Sequence, residues 1–76
     1  MKNINEKECH QAFGKYIKTA RERKGLSQLE ASQILEVSQS YLSRIESGER
    51  DVDLAFSFKI CDVMGVDIRD FVNKYM

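Results

Sequence analysis

Between Leu26 and Gly48 the sequence spells two short amphipathic helices joined by a tight turn. Ser27 and Ser38 each stand where a hydroxyl caps a helix N-terminus, and Gly48 stands where a glycine closes a C-terminus. On the second of these helices Leu42 and Ile45 share one side. Ser40, Ser43, Arg44 and Ser47 gather roughly opposite, within about a third of the circumference at ~100° per residue. So short a helix is stable only when its apolar back is packed. Its front of small polar residues is then left facing outward.

The same punctuation runs through the chain. Asn5, with Glu8 three residues on, marks the start of a first helix. Cys9, Phe13, Tyr16, Ile17 and Ala20 form its apolar stripe, and it ends at Arg23-Lys24 with Gly25 beyond. Ser27 caps a second helix with the inner face Ala31, Ile34 and Leu35. Ser38 caps a third, running from Gln39 to Ser47. Asp53 caps a fourth, from Leu54 to Met64, which Gly65 ends. Asp67 caps a fifth, from Ile68 to about Lys74. There is no proline and no segment alternates with period two, so an all-α fold of five helices is expected.

Seventy-six residues fit one small domain over 1–76, with the two-helix unit at about 27–47 and the last two helices at about 53–75. A chain of this size buries only about 60% of its unfolded surface. The fourth helix nevertheless carries two apolar stripes. One is Leu54, Phe58, Cys61 and Met64; the other is Phe56, Ile60 and Val63. The surplus predicts a homodimer interface formed by Phe56, Ile60, Val63, Ile68, Phe71 and Val72.

Lysine and arginine balance aspartate and glutamate at twelve each, which argues against indiscriminate nucleic-acid binding. The distribution is uneven. From Gln11 to Gln28 five bases face one acid, whereas from Asp51 onward five acids face three bases. No apolar run is long enough to span a membrane and Met1 opens no signal-like pattern, so a cytoplasmic location is expected. Cys9 and Cys61 lack partners at ligand spacing and read as reduced, buried thiols, and His10 as a solvated helix residue. No metal site or cofactor is expected. Without a nucleophile–base pair or a glycine-rich phosphate loop, neither is catalysis. No segment suggests a sensor for a small-molecule ligand.

Gln28, Ser38-Gln39 and Ile45-Glu46-Ser47-Gly48 resemble the Cro and lambdoid-phage repressor family, also called the xenobiotic-response-element (XRE) family of helix-turn-helix regulators. The lead-in Arg21-Glu22-Arg23-Lys24-Gly25-Leu26-Ser27-Gln28 and the trailing Lys59-Ile60-Cys61 and Gly65-Val66 extend the likeness over about Phe13 to Phe71. It implies a lambda-repressor-like fold and a transcriptional regulator. Such a protein binds palindromic double-stranded DNA as a dimer, with the third helix in the major groove. By the same resemblance, Gln39, Ser40, Ser43 and Arg44 read base edges, and Gln28 holds a phosphate while bracing Gln39. Arg21 and Glu46 form a partly buried ion pair; helical periodicity also sets each at the edge of an apolar stripe.

Chemistry is consistent with these roles. Arginine grips guanine O6 and N7 with two hydrogen bonds, and glutamine does the same for adenine N6 and N7. Ser27, Gln28 and Ser38 stand at helix N-termini, which favour an anion. Tyr41, Ser47 and Arg50 complete the expected phosphate contacts.

Four departures stand out. Glu36 occupies the turn position where glycine is usual, at a cost on the order of 1 kcal/mol if left-handed. Ala31 and Ser32 replace a usual leucine and alanine. Ser57 stands where a large apolar residue is common. The loop Glu49-Arg50-Asp51-Val52 lacks a usual proline and sets two acids near where phosphates would lie. Those acids, with the neutral net charge, favour the alternative of a protein-interaction module of the same fold, such as an antitoxin-like subunit.

Overall fold

The computed structural model describes residues 4–75. Five helices follow one another: α1 (Glu6–Arg23), α2 (Gln28–Leu35), α3 (Gln39–Glu46), α4 (Leu54–Met64) and α5 (Ile68–Tyr75). Among the described residues there is no strand, and the fold is all-α.

Local chemistry sets the helix starts. The Asn5 side chain accepts the Glu8 N–H at 2.8 Å while Glu8 accepts the Asn5 N–H at 3.3 Å. Ser27 and Glu30 form a second such reciprocal pair, at 3.0 and 2.9 Å. Ser38 accepts the Tyr41 N–H, Asp53 the Phe56 N–H, and Asp67 the Arg69 N–H. The C-termini of α1 to α4 share one closure. Leu26, Val37, Glu49 and Val66 each donate a backbone N–H five residues back, to Arg21, Ser32, Arg44 and Cys61. That geometry needs a left-handed residue, and Gly25, Gly48 and Gly65 supply three. The fourth is Glu36 at φ 60°, so the helix-turn-helix keeps its usual turn despite lacking glycine there.

The core gathers Ile17 from α1, Ala31 and Leu35 from α2, Leu42 and Ile45 from α3, and Ile60, Cys61 and Met64 from α4. Phe71 of α5 closes one end, edge-on to Phe13 at 5.3 Å and flanked by Tyr16 and Tyr75. Burial pushes the Cys61 thiol pKa up, which keeps it protonated and unreactive. Cys9 is only half-buried. One glycine is decisive. A Cβ on Gly14 would lie 2.6 Å from the Glu46 carbonyl oxygen and clash with that of Ile45, so α1 meets the end of α3 backbone to backbone.

Three expectations are corrected by packing. Ile34 is exposed and Ser32 is buried instead, its hydroxyl donating to the Leu29 carbonyl at 2.8 Å. The inner line of α2 runs through Ala31 and Leu35, and Ile34 lies ~100° around from Leu35. Ile60 and Phe71, expected at a dimer surface, belong to the core. Phe56 is half-buried, its ring 5.9 Å from that of Tyr41, and Val63 is half-buried too. Helix α2 packs against α4, and Tyr41 of α3 meets Phe56 on this flank. Among the described residues, the large apolar side chains left outside are Leu29 and Ile34 on α2, Leu54 and Phe58 on the other flank of α4, and Val72 on α5.

Candidate nucleic-acid interface

The front of α3 is open. Gln39, Ser40, Ser43, Arg44 and Ser47 are exposed, whereas Leu42, Ile45 and Glu46 are buried. Ser47 donates its hydroxyl to the Arg44 carbonyl at 3.1 Å and so trims the end of the helix.

Behind the turn lies a buried polar brace. Arg21 Nε donates to Glu46 Oε2 at 2.7 Å and Nη2 to Oε1 at 3.0 Å, a two-pronged pair. Arg21 Nη1 also donates to the Leu26 carbonyl at 2.8 Å, fixing the chain just before α2. Both side chains are more than nine-tenths buried. The bond to Glu46 raises the Arg21 pKa above its ordinary value, so the guanidinium stays charged. Gln28 Nε2 adds a third donor to Glu46 at 3.0 Å. The Gln28 amide therefore donates to Glu46, where the resemblance implied that it braces Gln39. One carboxylate ties the start of α2 and the end of α1 to the end of α3.

The expected phosphate contacts are not equivalent. The Ser38 hydroxyl oxygen caps α3, and its own proton remains a donor. Ser27 is exposed, but its N–H is occupied by Glu30. The two bonds from Ser27, backbone first, lower the Glu30 pKa and hold a carboxylate beside the start of α2. Tyr41 is half-buried between Phe56 and Arg50, whose guanidinium lies 5.1 Å from the ring centre. That cation–π contact, worth about 0.5–1 kcal/mol at an exposed site, favours a place for Arg50 beside α3. Its three members stand on α3, α4 and the intervening loop, so no local pattern announced it.

A packed-back helix with an open polar front, set on a serine-capped partner helix, is the fold of a helix-turn-helix transcriptional regulator. Residues 17–71 match the helix-turn-helix family model, and the chain belongs to that family, in its XRE-type branch. It is 36% identical over 61 residues to the HTH-type transcriptional regulator RamB of two Mycobacterium tuberculosis strains, CDC 1551 / Oshkosh and ATCC 25618 / H37Rv. That match covers 80% of this chain but only 13% of each relative. Among solved structures, the clp gene regulator ClgR of Corynebacterium glutamicum superposes with a TM-score of 0.79 at 26% identity, over 84% of this chain and 68% of the other. The restriction-modification controller protein C.AhdI of Aeromonas hydrophila gives a TM-score of 0.71 at 29% identity, over 78% and 89%. No described helix is long and apolar enough to cross a membrane.

Proposed function

We propose that this chain binds double-stranded DNA sequence-specifically and regulates transcription, with α3 as its recognition helix in the major groove. One observation carries the reading. Every side chain expected to read bases stands exposed on one face of a helix whose other face is locked into the core. Arg44 supplies a two-pronged donor for guanine and Gln39 a matched pair for adenine, each worth about 1–3 kcal/mol of discrimination. Ser40 and Ser43 both donate and accept, so they tolerate several bases. Ser38, Tyr41 and Arg50 hold the backbone, joined by Gln28 and Ser47 once their side chains turn outward from Glu46 and the Arg44 carbonyl.

One such helix reads only a few base pairs. A two-fold pair of chains sets two of them one turn of DNA apart, on a palindromic operator in the cytoplasm. Leu54 and Phe58 on α4 and Val72 on α5 are exposed apolar side chains available for that contact, beside the half-buried Ile68. Selection of bound sequences from random DNA is the test. A palindromic consensus is expected. Recovery of no consensus would overturn the reading in favour of a protein-interaction module.

A further inference from the structure

Glu6 and His10 lie one turn apart on α1, and the loop from α3 to α4 crosses beside them. Packing holds the loop there from both ends. Gly48, at φ 79°, sits so close to α1 that a Cβ would come within 2.7 Å of the Gln11 Cα. Val52 shares with Cys9 and His10 the wall of a cavity of about 170 Å³. Asp51 lies between these two anchors. As a result a carboxylate oxygen of Glu6, a ring nitrogen of His10 and a carboxylate oxygen of Asp51 all lie within 4.8 Å of one another.

We propose that Glu6, His10 and Asp51 form a binding site for a divalent first-row transition ion of the zinc type, which clips the α3–α4 loop to α1. One imidazole nitrogen and two carboxylate oxygens suit such an ion, whereas calcium and magnesium favour oxygen alone. Bonds of about 2.0–2.2 Å would set the ligand atoms roughly 3–3.5 Å apart. His10 Nε2 and Glu6 Oε1 are already 3.5 Å apart. The Glu6 side chain is 86% exposed and free to swing, and that of His10 is 28% exposed. Three protein ligands leave water in the remaining positions, as in an accessible rather than a closed site. Because the ligands come from two elements, binding stabilises the fold by mass action.

The consequence for DNA rests on the function proposed above. Asp51 directly follows Arg50, and its carboxylate would repel a phosphate there. A dication offsets the charge of Glu6 and Asp51 and immobilises the loop that carries Arg50. Metal therefore raises DNA affinity.

Titration of the whole chain with cobalt(II), followed by its visible absorption, tests the site. One equivalent is expected to bind, zinc(II) to displace it, and zinc to raise the melting temperature by several degrees. His10→Ala and Asp51→Asn, each checked for helicity, should abolish all three effects, while Cys9→Ser should keep them. A wild-type melting temperature and cobalt spectrum that ignore metal would overturn the site, as would wild-type binding by Asp51→Asn. Fluorescence anisotropy with the selected DNA separates the second claim. Affinity should rise several-fold with zinc in the wild type and not in Asp51→Asn. Metal binding with unchanged DNA affinity removes the regulation and leaves the site standing. A chain that takes up metal but binds no DNA overturns the function proposed above instead.

Discussion

Gly14 is the residue on which the positions of α1 and α3 depend most directly. Exchanging a mid-helix glycine for alanine normally gains about 0.5–1 kcal/mol. Here the added methyl would strike the Ile45 and Glu46 carbonyls, which are backbone and cannot swing aside. Gly14→Ala is therefore expected to destabilise by about 1–3 kcal/mol, the usual cost of overpacking. Denaturant melts showing a gain would contradict the contact. Glu36 gives the opposite sign. Its left-handed conformation is natural to glycine, so Glu36→Gly should stabilise by roughly 0.5–1 kcal/mol, after the larger unfolded-state entropy of glycine is subtracted. Arg44 and Arg50 differ in kind. Arg44→Ala should cost about 1–3 kcal/mol on the best sequence and relax one base pair per half-site. Arg50→Ala should weaken all sequences alike and reduce the salt slope by about one. Parallel site selections separate them, and an unchanged consensus for Arg44→Ala would remove α3 from the groove.

Helices α2 and α3 have only eight residues each, too few to be stable alone in water. They persist because caps satisfy their ends and because Glu46 gathers Arg21 and Gln28 into one buried cluster. Removing either charge leaves the other desolvated without an opposite charge, held only by the Leu26 carbonyl in the case of Arg21 or by Gln28 in the case of Glu46. Glu46→Ala and Arg21→Ala are each expected to cost about 3–5 kcal/mol, as for other buried pairs. In a domain this small each kcal/mol moves the melting temperature by about 4–8 °C, so the loss is easily seen. Calorimetry that finds both variants melting with the wild type would show that the brace contributes nothing. The cluster joins α1, α2 and α3 at one point behind the open front of α3.

For the molecule as a whole, the question is what its uncovered apolar side chains meet. Leu54 and Phe58 are one turn apart on α4, at least half exposed, and Val72 stands exposed on α5. Glutamate at Leu54 or Phe58 should give folded monomers that bind DNA weakly, since each half-site alone contributes too little. Glutamate at Ile60 should instead unfold the chain, because that position has no access to water. Sedimentation with circular dichroism distinguishes the two outcomes. A wild type that stays monomeric both free and on its selected DNA would exclude the dimer.

The five helices and their ends were legible in the amino-acid order because caps, capping boxes and glycine closures act within a single turn of chain. The open face of α3 was legible for a similar reason: one helix carries both its apolar back and its polar front. The Arg21–Glu46 pair, across two elements, was expected from family likeness together with helical position. Burial on α2 and α4 was not legible. Helical periodicity marks an apolar arc, but which part of it a neighbour covers depends on elements remote in sequence. So Ser32 is buried and Ile34 is not, and Ile60 joins the core while Leu54 stays outside. The Gln28–Glu46 bond, the Arg50–Tyr41 stack and the meeting of His10 with Asp51 arise in the same way. Each joins residues from different elements, so it exists only in the packed fold; the meeting of His10 with Asp51 needs the loop to rest beside α1.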